Sequence, residues 1–387
     1  MIFELQIKTA LKLILTVLFI GVSTHAIAQD VDGLDEDDAP VPGVEANLLI
    51  EYQSDNVLSG DNDIDGSQTY STHELDAAIH FSKFVSLYAT LNYQPQRGFL
   101  KDFDEDLFSE DNYFEDQGID LEQFFVEFEF NNVAIFGGKF TANFGKAWDE
   151  TPGVYGTDFA EDYEIEGNIG FGAEVEFEKT PFGDLTIAAA GFQLDRTLLS
   201  SSLFQNTEPN EKSDGGAGNT DGIQSYVISA DAEKILGDNS LNAHFAYINR
   251  KKGIGHDDYD DEKGFVFTLY GERDLGRGFS LEWIGEMALI DNFNATEDNI
   301  NYYTVGLDIE FRERYHWAVS YTNRDVDNPW DGSYDEHLFQ TSVGVEVWRD
   351  WNFDIGYRYT ETGSDNDNAH FLGLLVSKEF EYRKEAN

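Results

Sequence analysis

Residues 303–315 run YTVGLDIEFRERY, and that order decides the kind of fold. Tyr303, Val305, Leu307, Ile309 and Phe311 are apolar, while Thr304, Gly306, Asp308 and Glu310 between them are small or polar. A period of two places successive side chains on opposite faces of a strand, so this is a strand with one greasy and one hydrated face. Arg312 to Tyr315 then form a short basic turn, and a new strand follows. The same alternation recurs at 85–93, 169–177 and 353–359. Such segments of about ten residues suit a tilted strand crossing a bilayer and exceed the ~5–6 residues usual in globular sheets.

Soluble β-sandwiches alternate too, so the connections matter. Short ones fall at 82–83, 131–132, 179–184, 235–239, 273–278, 312–315 and 349–351. Long ones fall between them, at 54–69, 96–118, 142–166, 195–221, 251–263, 291–300, 324–336 and 362–369. Short periplasmic turns alternating with long extracellular loops are the rhythm of an outer-membrane barrel. The sequence therefore predicts an all-β fold, a transmembrane antiparallel β-barrel of about 16 strands over residues 44–380. Phe380 or Tyr382 is expected to close the last strand, leaving 381–387 as a short periplasmic tail. Tyr52, Tyr93, Phe124, Phe140, Tyr247 and Tyr321 lie near strand ends, where interfacial girdles form. Barrels of ~16–18 strands leave an aqueous lumen, whereas ~8 strands fill theirs with side chains.

The N-terminus fits that destination. Lys8 and Lys12 flank an apolar run, 13–22, which is followed by Ala26-Ile27-Ala28. Basic, apolar and small in that order is a secretory signal peptide (1–28), with cleavage expected after Ala28. The run is about half the ~20 residues of a spanning helix. Residues 29–43, QDVDGLDEDDAPVPG, form an acidic linker expected to be disordered. There are only 7 Pro, as expected where backbone N–H groups must pair in ladders, and no Cys, which removes disulfides and thiolate metal sites. The expected location is the outer membrane of a Gram-negative cell, facing its lipid and lipopolysaccharide.

Charge divides along the same line. A formal net charge of -50, from 75 acids and 25 bases, disfavours nucleic acid and attracts cations. Lys83, Lys179, Lys234, Arg273, Arg277, Arg312, Arg314 and Arg349 sit at short turns, while 102–106 and 257–262 are acidic long-loop segments. Acidic outer loops could share divalent cations with anionic headgroups. Asp61, Asp63, Asp65 and Gly66 also resemble the start of a Ca²⁺ loop, but its twelfth position is Thr72 instead of Glu, and a plain acidic hairpin loop fits as well. No nucleophile elbow, P-loop, dinucleotide fingerprint or HExxH occurs. His80, His244 and His316 fall on lumen-facing positions without partners at metal-ligand spacing. Neither catalysis nor a cofactor is expected.

The stretch 137–167, GGKFTANFGKAWDETPGVYGTDFAEDYEIEG, departs from the alternation. Its Gly138, Lys139, Phe140, Phe144 and Gly145, with the later DYEIE, resemble the corresponding stretch of LbtU-type siderophore porins, and the phosphate-selective porin group is more distantly similar. That resemblance implies that loop 142–166 folds into the lumen and narrows it. Candidate selectivity residues there are Lys139, Lys146, Asp149, Glu150, Asp158, Glu161 and Asp162, with Arg358 opposite. Lumen-wall candidates are Glu174, Glu176, Glu282, Glu286, Asp308 and Glu310. The functional expectation is a cation-preferring porin for small solutes. An iron-chelate channel and a non-transporting adhesion barrel with cation-binding loops are the alternatives, and a homotrimer is expected by analogy with porins.

Overall fold

The computed structural model describes residues 42–61, 66–96, 111–203, 209–253, 260–330 and 332–385. The signal peptide, all of the linker but its last two residues, and the acidic segment 102–106 lie outside these. So do Asp63, Asp65 and residues 257–259 of the acidic segment 257–262.

Sixteen strands form the wall: β1 Gly43–Gly60, β2 Ser67–Ser82, β3 Val85–Pro95, β4 Gln117–Phe130, β5 Val133–Phe140, β6 Asn168–Thr180, β7 Gly183–Leu194 and β8 Ser225–Glu233. The circuit continues with β9 Asn242–Arg250, β10 Glu262–Gly276, β11 Phe279–Asp291, β12 Asn299–Phe311, β13 Tyr315–Asn328, β14 Gly332–Trp348, β15 Trp351–Thr362 and β16 Asp367–Glu385. Each pairs antiparallel with its sequence neighbours, and β1 closes on β16 from Gly43↔Glu385 to Gly60↔Ala369. A closed ladder has no edge, which a lipid environment requires because an unpaired backbone group there costs several kcal/mol. Among the described residues, no helix is long and apolar enough to cross a membrane.

The burial of β12 follows its sequence. Tyr302 and Thr304 are buried inside, while Tyr303, Val305 and Leu307 are 42%, 56% and 45% exposed on the outside. Phe171, Phe265, Trp317, Val343 and Ile355 continue this apolar exterior around the barrel. Water would not tolerate a continuous apolar belt of that size, and hydrocarbon does.

The ladder runs further than alternation alone suggests. Loops expected at 54–69, 324–336 and 362–369 shrink to 61–66, 329–331 and 363–366. Beyond the apolar belt both faces of a strand meet water, so the alternation fades while backbone pairing continues. At the opposite end β16 likewise passes Phe380 and stays paired to Glu385. Of the six expected girdle aromatics, Phe140 is fully buried inside against Phe136 and Phe192 instead.

Candidate functional site: a loop docked across the lumen

With eight residues, β5 is short, because the chain leaves the wall after Phe140 and turns inward. Gly138 permits this. Its φ is 151°, and a Cβ there would lie 2.3 Å from the Phe124 carbonyl oxygen. The segment 141–167 then contributes buried Ala142, Phe144, Ala147, Ala160, Tyr163 and Ile165 to one apolar cluster. Wall residues of the same cluster include Ala246 and Ile248 (β9), Val266 (β10), Ala288 and Ile290 (β11) and Ile300 and Tyr302 (β12). A fully buried large apolar side chain contributes roughly 1.5–3 kcal/mol, so this cluster alone favours docking.

Polar anchors set the path. Gly145 N–H donates to His244 Nε2 at 3.2 Å, and His244 Nδ1 faces Asp231 at 2.6 Å, so the proton of a neutral imidazole lies on Nδ1. Glu286 on β11 accepts the backbone N–H groups of Lys146 (2.7 Å) and Ala147 (3.2 Å), together with the Tyr163 and Thr268 hydroxyls. Asp162 pairs with Arg324 on β13 and accepts the Tyr302 hydroxyl at 2.9 Å. Arg324 also pairs with Glu336 and lies 4.6 Å over the Phe159 ring. Gln340 on β14 donates to the Pro152 carbonyl at 2.8 Å, over a Gly153 whose added Cβ would collide with that amide. Arg358 on β15 pairs with Asp158 while lying between the rings of Tyr155 (4.7 Å) and Phe371 (4.1 Å). Finally, the Tyr155 hydroxyl donates to Asp55 on β1 at 2.5 Å, and Asp55 also accepts the Tyr70 hydroxyl. The loop thus leaves between β5 and β6 and is fastened along the wall from β9 round to β1.

These contacts sort the expected site residues. Asp158, Asp162, Arg358 and Glu286 meet at the loop–wall interface as anchors, held by one another or by Arg324 and Tyr163. Burial pushes the Asp158 carboxyl up to about 6, against the pull of the Arg358 guanidinium. Lys146 lies 3.7 Å from Glu150, and the Glu161 carboxylate accepts the Thr157 hydroxyl at 2.6 Å. Asp149 and Glu150 remain exposed to the lumen. Glu150 shares an open recess of about 380 Å³ with Glu272 and Glu282 of the wall. Further toward the short turns, His316 bridges Asp308 (3.3 Å) and Asp354, and Glu310 accepts from Ser280 at 2.9 Å. Glu174 and Glu176 take the inward alternation of β6, opposite the exposed Phe171 and Phe177.

Lys139 corrects the expectation. Its ladder partners are Phe124, 40% exposed on the outer face, and Ile169, so its side chain starts on the outside of the barrel and does not reach the lumen. Where β5 departs, β4 is left with an open edge, and Leu203 fills it with a two-way backbone bridge to Ile119. Lys139 Nζ lies beneath this strap, donating to the Leu199 carbonyl at 2.8 Å and facing Asp195 at 3.4 Å. Of the Ca²⁺-loop candidates, Asp63 and Asp65 lie outside the described residues; Asp61 accepts from the Asn368 amide at 2.6 Å, and Thr72 lies within the β1–β2 ladder. Among the described residues no cluster of metal-ligating side chains occurs.

Sequence reasoning missed Arg324, Asp55, Tyr155 and Gln340. Arg324 fell at the start of the expected loop 324–336, so nothing in the sequence set it on the wall.

No family model and no curated protein matches the chain. Solved structures do share its fold. Pseudomonas putida OprB superposes with a TM-score of 0.62 at 12% identity, over 88% of this chain and 94% of its own. Salmonella typhi OmpF, in a complex with daunomycin, gives 0.56 at 12% identity over 87% and 97%. The outer membrane channel DcaP of Acinetobacter baumannii gives 0.55 at 10% identity over 87% and 97%. At such identities the likeness is one of fold: this is the closed sixteen-strand barrel of outer-membrane proteins.

Proposed function

We propose that this chain is an outer-membrane porin through which small solutes diffuse, with 141–167 as its constriction and a preference for cations. The observation carrying this reading is the third loop fastened inside the lumen with its basic neighbours already matched. Arg324 faces Asp162 and Glu336, Arg358 faces Asp158, and Lys146 lies near Glu150. The carboxylates of Asp149 and Glu161 on the loop, with Glu174, Glu176, Glu282 and Glu310 on the wall, then dominate the field along the passage. An inward loop also favours transport over an adhesion surface, which would present its loops outward.

The test is ion selectivity in planar bilayers under a salt gradient. The wild type should show a cation-selective reversal potential, and D149N/E150Q/E161Q should move it toward zero. An unchanged potential removes these residues from selectivity, and no conductance at all removes the porin reading. The likeness of 137–167 to siderophore porins supports a second reading, passage of an iron chelate. Block of the wild-type current by a ferric chelate but not by its iron-free form would favour it.

A further inference from the structure

In a chain with 75 acids and 25 bases, exposed arginines without carboxylate partners are unexpected. Four occur side by side. Arg277 lies in the β10–β11 turn, Arg312 and Arg314 in the β12–β13 turn, and Arg349 in the β14–β15 turn, which are successive turns around one sector of the short-turn rim. All four are exposed, and none forms an ion pair among the described residues. Asp350 beside Arg349 is engaged by Lys378 at 3.2 Å, and Arg314 spends only its Nε, on the Glu346 carbonyl.

Two further features mark this arc. Arg312 lies 4.7 Å over the Phe311 ring, Arg314 5.5 Å over Tyr315 and Arg349 4.6 Å over Trp348, which is 65% exposed. Three of the four guanidinium groups thus lie against an aromatic ring at the short-turn edge of the apolar exterior. Moreover, Arg277, Arg312 and Arg349 adopt left-handed backbone, with φ of 61°, 60° and 52°. Gly or Asn fits such turn positions with less strain, so turn geometry does not call for arginine there.

We infer that this arc binds the phosphates of anionic phospholipids in the leaflet that faces the short turns. A guanidinium presents paired donors that match two phosphate oxygens, and its aromatic partner rests among the acyl-chain ends below. Among the described residues, the long-loop end offers no comparable arc of exposed arginines to the other leaflet.

Full-length protein in mixed vesicles tests this through quenching of its belt tryptophans, Trp317 and Trp348, by brominated phosphatidylglycerol or brominated phosphatidylcholine. The wild type should enrich phosphatidylglycerol at the barrel at least about fivefold, and added salt should reduce that preference. The variant R277N/R312N/R314Q/R349N should lose it while folding normally, since Asn accepts left-handed backbone. K212Q, at the long-loop end, should retain it. Equal quenching by the two lipids in the wild type, or a preference that survives in the quadruple variant, overturns the assignment. Full retention in R277K/R312K/R314K/R349K overturns the paired-donor geometry and leaves only charge attraction.

Discussion

Two long loops leave adjacent parts of the wall and go opposite ways. The segment 141–167 turns into the lumen, whereas 195–203 lies on the outside as a strap along the edge of β4. Their side chains account for the difference. The inward segment carries Phe144, Tyr155, Phe159, Tyr163 and Ile165, all buried, and acids spaced to meet wall arginines. The strap carries Leu198, 82% exposed, amid Ser and Thr that serve its own backbone. An inward path needs both an apolar cluster and partners for every charge taken out of bulk water. An outward strap needs only an open edge and one cation.

The sharpest way to break that contrast is to remove the inward partners. R358M/R324M leaves Asp158 and Asp162 in the interface without their guanidinium groups. Breaking a buried pair costs about 3–5 kcal/mol, enough to compete with the apolar cluster for the position of the loop. Single-channel conductance should rise and become noisy, and added protease should cut between 149 and 158, while the barrel stays folded. A conductance and a proteolysis pattern equal to wild type would show that the arginines do not hold the loop.

Legibility in the sequence followed the solvent on each face. Where one face met hydrocarbon and the other water, as in 303–311, residue order alone gave strand, face and turn. Beyond the belt it failed. In Asn323-Arg324-Asp325-Val326-Asp327-Asn328 both faces are polar, so Arg324 looked like part of a loop, although the ladder carries it inward to Asp162. The third loop was recognisable through its motif, yet the roles of its charges were not, because pairing across the lumen depends on residues up to 200 positions apart. Lys139 was misplaced for a related reason. Phe140 beside it was expected in the outward girdle but is buried inside, which turns Lys139 outward, and its Asp195 partner lies in another loop.

A smaller effect is expected at the strap. K139M keeps the alkyl stem and removes the ammonium, leaving Asp195 buried with one partner fewer. Cleavage within 196–203 should accelerate while conductance and selectivity stay at wild-type values, because Lys139 does not face the pore. Any change of reversal potential in K139M would return this residue to the constriction and erase the contrast between the two loops.

The smallest expected effect concerns pH and works against intuition. Acid would seem to loosen a loop pinned by Asp158 and Arg358. However, burial holds the Asp158 carboxyl up at about 6, above the ~3.9 of a free aspartate, so the docked loop takes up a proton more readily than an undocked one. Docking therefore gains as pH falls through about 6, and the gain levels off near the ordinary aspartate value. At pH 5 the docked fraction should be favoured by up to about tenfold relative to pH 7, less whatever solvent screening removes. Loop-dependent current noise should accordingly be quieter at pH 5 than at pH 7. D158N, neutral throughout, should lose this part of the pH dependence, and noise that instead grows on acidification in the wild type would mean that the Arg358 pair outweighs burial at this anchor.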